Sequence, residues 1–256
     1  MFGFCPLASG SKGNSVYLGT QKTKILIDAG ISGKQIEERL WQIGVKLSEI
    51  EAVLVSHEHI DHIAGLKVLC KKNILVLANS ATAKGIYNNL GILPKCKIFT
   101  TEESFTFGDL NIKPFSILHD TLDPVGFIIQ VAGIKLGFCT DLGFVTSHVI
   151  ENLKECDYLY IEANHQPSMV QASNRSLVNK QRVLGRQGHL SNEETAELLK
   201  SVMHDKLKHV YIAHLSSECN SPKLAEEMIK EIILANNSQA EVSIAYQEKI
   251  SKLISW

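Results

Sequence analysis

The chain has 256 residues, 45% hydrophobic and 21% charged, with a formal net charge of -1 and a sequence pI of about 6.8. That is an ordinary globular composition, and it excludes a wholesale polyelectrolyte binder of nucleic acid or membrane surface. No apolar run approaches the roughly 20 residues a spanning helix needs, so no membrane role is expected. The opening residues carry neither a basic leader nor a long apolar core, and no secretory signal is expected there. The six cysteines are scattered without a C-x-x-C pair. Such thiols read as reduced, which points to the cytoplasm.

Strand and helix patterns alternate with short connections and without repeats or linkers, which predicts one continuous α/β domain over 1–256. Strands are predicted over 2–7, 15–19 and 24–28, then a helix over 33–43 with Ile36, Leu40 and Ile43 at helical spacing and Gly44 as its stop. A strand over 52–56 is followed by helix over 63–69, strand over 74–78 and helix over 80–90. The stretch 97–139 reads as strand-rich, with hairpin turns at Gly108-Asp109 and Ala132-Gly133. Beyond it come helix over 144–156, strand over 158–162, helix over 192–204, strand over 209–213, helix from Pro222 and strand over 242–245. Ser191 opens an S-x-x-E capping box with Glu194. The periodicity supports an α/β, sheet-rich fold.

The strand over 52–56 delivers His57, His59, Asp61 and His62 in a burst. Residues two apart on an extended backbone point the same way, so His57, His59 and Asp61 can share a side while His62 joins from a turn. Imidazole and carboxylate suit zinc, manganese or iron(II). Four ligands exceed what one catalytic ion with an open position needs, and a two-metal site uses them naturally. Further ligands are expected at strand ends on a rigid scaffold. His119, Asp141 and His214 each close an apolar run as a single polar residue.

These spacings resemble the metallo-β-lactamase superfamily, whose H-x-H-x-D-H motif the burst matches. The phrases from Leu7 to Ser15, Thr140-Asp141-Leu142-Gly143, Glu162-Ala163-Asn164-His165, Gly188-His189-Leu190-Ser191-Asn192 and Ala213-His214-Leu215-Ser216 resemble its YycJ/WalJ-like exonuclease branch in order. The region 168–180 fits that branch only loosely. The resemblance implies a four-layer αβ/βα sandwich of two mixed sheets. It also implies two divalent ions (Zn2+, Mn2+ or Fe2+). His57, His59 and His119 would hold the first ion, Asp61, His62 and His214 the second, and Asp141 would bridge them. Asp28 would orient the ligand loop from behind, a plain turn residue being the other reading. Asp61 would also orient the attacking water, and His189 would contact the scissile phosphate or assist the leaving oxygen, unless it merely caps a turn.

The activity implied is that of a dinuclear phosphodiesterase, a 5′→3′ DNA exonuclease using a metal-bridging hydroxide, with nucleic acid as its partner. The alternatives are hydrolysis of a small ester, thioester or cyclic phosphate, or a non-catalytic metal-binding module. Between Glu162 and Glu193 there is no acidic residue, while Arg175, Lys180, Arg182 and Arg186 all fall there. Arg182 and Arg186 are therefore expected to meet a phosphodiester backbone, although a solvated helix face has the same composition. Ser9 and Asn14 could hydrogen-bond phosphate or form a flexible turn. Asn164 and His165 are candidates for shaping the pocket, and Ser191 for a phosphate contact or a helix cap.

Overall fold

The computed structural model describes residues 2–255. It falls into two compact units. The first runs to Pro114 and takes in Thr121–Val125 and the tail from Ala245, while the second comprises Phe115–Asp120 and Gly126–Ile244.

The first unit is built on a six-stranded sheet whose spatial order follows the chain: β1 (Gly3–Ala8), β2 (Ser15–Gly19), β3 (Lys24–Ile27), β4 (Ala52–Leu54), β5 (Leu75–Ala78) and β6 (Cys96–Ile98). The first three strands pair antiparallel, and β3 through β6 pair parallel. Parallel neighbours need a crossover of a dozen residues or more. Helix α1 (Gly33–Gln42), the pair α2 (Ile60–Ile63) and α3 (Leu66–Lys71), and α4 (Ser80–Leu90) supply the three crossovers. Ser32 caps α1 through a reciprocal box with Gln35, and Ile36 and Leu40 face inward. The chain leaves the helix through Gly44 at φ 72°, a left-handed conformation that suits glycine. Leu7, Tyr17, Leu26, Leu40, Val53 and Val76 belong to one buried cluster. A fully buried side chain of this kind stabilises by about 1.5–3 kcal/mol.

A second sheet has seven strands in the order β13-β12-β11-β10-β9-β8-β7. These are β7 (Phe105–Phe107), β8 (Leu110–Ser116), β9 (Val125–Val131), β10 (Ile134–Cys139), β11 (Tyr158–Glu162), β12 (His209–Ala213) and β13 (Glu241–Ile244). Strands β10 to β13 are parallel, and β9 meets β10 in a hairpin. Its turn residues Ala132 and Gly133 both have positive φ, at 51° and 79°, as a tight hairpin of the observed twist demands. Helices α5 (Ser147–Leu153), α6 (Pro167–Ala172), α7 (Leu177–Leu184), α8 (Asn192–Val202) and α9 (Pro222–Ala235) belong to the second unit. Its core gathers Phe115, Leu142, Leu159, Leu199, Val210 and Ile229. Two mixed sheets with flanking helices make this an α/β fold, as predicted.

Several boundaries differ from expectation for physical reasons. The helix predicted over 63–69 is two short helices separated at Gly65. A Cβ on Gly65 would lie 2.5 Å from the Ile31 carbonyl oxygen, so only glycine allows that approach. The helix predicted over 144–156 is confined to α5, because Thr146 caps it from outside. Helices α6 and α7 were not predicted. Each buries a single residue, Val170 in α6 and Val183 in α7, so neither shows an apolar stripe.

Candidate metal centre

In the first unit, β4 ends at Leu54 and the chain stays extended through His59 before α2 begins. His57 and His59 lie two apart on this segment with ring centroids 4.9 Å apart. Asp61 and His62 instead lie in the helical turn, so the expected sharing of one extended side holds only for the two histidines. The turn still returns His62 to the group, with its ring centroid 4.1 Å from that of His57.

Asp28 organises this arrangement. It follows β3 with φ 58° and is buried. Its Oδ1 accepts from the Ser56 backbone N–H (2.8 Å), and its Oδ2 accepts from Ser56 Oγ (2.9 Å) and faces His62 Nδ1 at 2.8 Å. The Ser56 hydroxyl also lies 3.0 Å from His57 Nδ1. From the other side, the Asn14 N–H donates to the Asp61 carbonyl at 2.7 Å. Asn14 Nδ2 lies 3.0 Å from His62 Nε2 and 3.3 Å from that carbonyl. A Cβ on Gly30 would fall 1.6 Å from the Asp61 carbonyl oxygen, so the Asp28–Gly30 turn presses directly on the ligand turn.

In the second unit the candidate ligands come from the ends of adjacent parallel strands. Asp141 follows β10, Glu162 ends β11 and His214 follows β12. Asp141 and His214 both take the left-handed backbone, with φ 60° and 53°. That conformation costs a non-glycine residue about 1–3 kcal/mol and marks a position set by its surroundings. His214 Nδ1 lies 3.2 Å from Asp141 Oδ1 and 3.3 Å from Glu162 Oε2. His189 Nδ1 lies 3.2 Å from the same Glu162 oxygen and 3.8 Å from Asp141 Oδ1. One ligand atom each from Asp141, Glu162, His189 and His214 all fall within 4.8 Å of one another. His119 lies three residues beyond the end of β8, with Nε2 3.8 Å from Asp141 Oδ1 and Nδ1 3.1 Å from the Gly188 carbonyl.

Glu162 was not anticipated as a site residue. It is fully buried, and its Oε1 accepts from the N–H groups of Leu142 (2.7 Å) and Leu190 (3.0 Å). Burial alone would raise its pKa, but the charge and hydrogen bond of His189 and the hydrogen bond of His214 outweigh that and hold it below the usual carboxylate range. The signal was present: Glu162 closes the apolar run Tyr158-Leu159-Tyr160-Ile161 as Asp141 and His214 close theirs. A glutamate at a strand end is the same signal as an aspartate there, since both place a carboxylate at the sheet edge.

The donor chemistry suits divalent ions. His57, His62, His119 and His214 each turn Nδ1 to an oxygen of the protein: the Ser56 hydroxyl, Asp28, the Gly188 carbonyl and the Asp141–Glu162 pair. A proton on Nδ1 satisfies each of these oxygens and puts the lone pair on Nε2, the form in which imidazole binds a metal. His57, Asp61, His62 and His59 can contribute from the first unit, and His119, Asp141 and His214 from the second.

A model of the β-lactamase superfamily domain matches residues 23–214. The chain is 35% identical to the exodeoxyribonuclease YycJ of Bacillus anthracis, over 90% of this chain and 88% of that one. It is also 35% identical to the exodeoxyribonuclease WalJ of Streptococcus pneumoniae, over 97% of this chain and 93% of the relative. The crystal structure of the metallo-β-lactamase fold protein YhfI from Bacillus subtilis superposes with a TM-score of 0.71 at 15% identity, covering 97% and 99% of the two chains. The chain belongs to the metallo-β-lactamase fold hydrolases. It is an enzyme of that family, with the YycJ/WalJ exodeoxyribonucleases among its relatives.

Ser191 caps α8 in a capping box with Glu194 and is buried. Asn164 donates through Nδ2 to the His214 carbonyl at 2.8 Å, so it steadies a ligand from the backbone side. His165 is buried beside Ser191, and its Nδ1 has no hydrogen-bond partner among the described residues. Burial pushes its imidazole pKa down. Ser9 is buried and donates its N–H to the Tyr246 carbonyl at 3.1 Å. The basic stretch is internally partnered. Arg182 forms a two-point ion pair with Asp120, and the Arg186 guanidinium lies 3.9 Å from the Phe144 ring centre. Arg175 pairs with Glu218, and Lys180 reaches the Gln171 carbonyl.

Proposed function

We propose that the enzyme is a dinuclear metal-dependent 5′→3′ DNA exonuclease and that the whole chain acts as one functional domain. In this reading His57, His59 and His119 hold one divalent ion, Asp61, His62 and His214 hold a second, and Asp141 is shared. The anchored Nδ1 atoms of four ligand histidines carry the reading, because they present Nε2 in metal-binding form. The similarity to two exodeoxyribonucleases over nearly the whole chain supports the substrate class. Histidine and carboxylate ligands without cysteine suit Zn2+, Mn2+ or Fe2+. When bound, such ions polarise a phosphoryl oxygen and acidify a water.

The chain's own residues would do the rest. His189 faces Glu162 through Nδ1 and its side chain is 16% exposed, so Nε2 would be the atom to meet a substrate oxygen. In that position it would donate a proton to the departing 3′ or 5′ oxygen as a general acid. Glu162 would fix the ring's orientation. Asp61 binds metal and orients the attacking water. The N-terminus of α8 is not assigned to the phosphate, because the N–H groups of Ser191, Asn192 and Glu194 already go to the Glu194 carboxylate, the His165 carbonyl and the Ser191 hydroxyl. The six free cysteines fit action in the cytoplasm. No described helix is long and apolar enough to cross a membrane.

One observation favours a second reading, hydrolysis of a small phosphodiester. All four cations of the basic stretch already have partners within the protein. A panel separates the two. Metal-loaded protein is incubated with 5′-labelled and 3′-labelled DNA, RNA and a chromogenic phosphodiester, beside the Asp141→Ala variant. Stepwise DNA loss from the 5′ end that disappears in the variant supports the exonuclease. Turnover of the small ester with intact polymers supports the second reading, and loss from the 3′ end overturns the polarity.

A further inference from the structure

Glu58 lies between the ligands His57 and His59 on the extended segment, so its side chain leaves on the opposite side. It is buried. Its Oε1 accepts from the Leu122 N–H at 2.9 Å, and its Oε2 has no hydrogen-bond partner among the described residues. Helix α4 pins it from the other direction. A Cβ on Gly85 would come within 2.4 Å of Glu58 Cγ, and Asn89 Nδ2 donates to the Glu58 carbonyl at 2.8 Å.

The partner of Glu58 belongs to a short passage, Thr121–Val125, that packs with the first unit. The passage is tied down elsewhere as well. The Asp123 carbonyl accepts from Asn79 Nδ2 at 2.8 Å, Asp123 Oδ2 accepts from the Thr101 hydroxyl at 2.8 Å, and the Val125 N–H donates to the Ser56 carbonyl at 3.2 Å. Ser56 and Glu58, the residues on either side of His57, thus hold two points of the passage. His119 comes three residues before Leu122 in the chain. Three residues span at most about 10 Å, so the anchor on Leu122 restricts where His119 can be.

A buried carboxyl with a single hydrogen bond is a costly way to fill space, and an apolar side chain would fill it without that cost. We infer that Glu58 is a positioning residue for metal retention, fixing the stretch that carries His119 by its bond to the Leu122 N–H. The inference rests on the proposed metal centre. It assigns a role to the middle residue of the His57-Glu58-His59 run, which touches no metal itself.

The test uses wild-type protein, His57→Ala, Glu58→Ala and Glu58→Gln. Metal affinity is measured by chelator competition, and the Co2+-substituted forms are compared by visible absorption. Glu58→Ala is expected to bind metal roughly 10- to 100-fold more weakly and to show an altered Co2+ spectrum. Glu58→Gln, which keeps a carbonyl acceptor for Leu122, is expected to restore both. Wild-type affinity and spectrum in Glu58→Ala would overturn the inference, as would a full loss shared by Glu58→Gln. Should Glu58→Ala not fold, Gly85→Ala keeps the carboxyl in the chain but pushes its stem, and with it the carboxyl, away from the Leu122 N–H. Weaker metal binding in that variant supports the role, and unchanged binding overturns it. Equal metal binding by wild-type and His57→Ala would instead remove the metal centre, and this inference with it.

Discussion

In the first unit four ligand candidates arrive within one strand-to-helix turn, whereas in the second His119, Asp141 and His214 follow three different strands. The first group is therefore set by a local backbone path and its props: Asp28 and Ser56 behind it, Asn14 and Gly30 beside it. The second is set by strand register. Cys139 pairs with Ile161, and Glu162 with Ala213, so residues just past the pairing converge at one sheet end. Damage to the first group should come from small changes around one turn. Damage to the second should come from changes to the carboxylate Glu162 that its histidines share.

The largest effect is expected at His189. His189→Ala should slow DNA cleavage on the order of 10²-fold or more while both metals stay bound, the scale of a lost general acid–base group. Single-turnover kinetics with elemental analysis check this, and metal loss would show that His189 is a ligand. Next is Asp28→Asn. Asparagine tolerates the left-handed backbone at this position, so the change isolates the acceptor for His62 Nδ1. Metal affinity should fall about 10- to 100-fold, read by chelator competition, and an unchanged affinity would break the idea that the first group hangs on Asp28. Gly30→Ala drives a Cβ into the Asp61 carbonyl. It should destabilise the fold by about 1–3 kcal/mol, typical of overpacking, seen as a lower urea midpoint.

The smallest effect is expected on the second unit's surface. Arg182→Glu and Arg186→Glu should weaken DNA binding. If either arginine meets a phosphate, each change should reduce the salt slope by about 0.7–0.9. Their pairing with Asp120 and Phe144 sets a competing demand, and unchanged slopes would confine both arginines to holding α7.

Most of the architecture was legible because strand and helix periods differ and because turn residues are chemically distinctive. The predicted helix over 80–90 and strands over 15–19, 158–162 and 209–213 match the structure. The Ala132-Gly133 turn and the Ser191–Glu194 cap also appear as read. Elements with weak apolar periodicity, α6 and α7, were invisible to that logic, and Gly65 broke a helix that the pattern ran through. At the site, the burst was legible since adjacency in sequence guarantees adjacency in space.

By itself the sequence determined the α/β class, the ligand chemistry and the superfamily, because these depend on residue type, period and motif order. Only the tertiary structure decided which atoms face which. It gave Asp28 to His62 and Ser56, set Glu162 between two histidines, and turned Asn14 to structural bonds. It also paired Arg182 with Asp120. Such pairings join residues tens of positions apart, and hydrogen bonds of about 3 Å are fixed by packing and strand register, which no local pattern records.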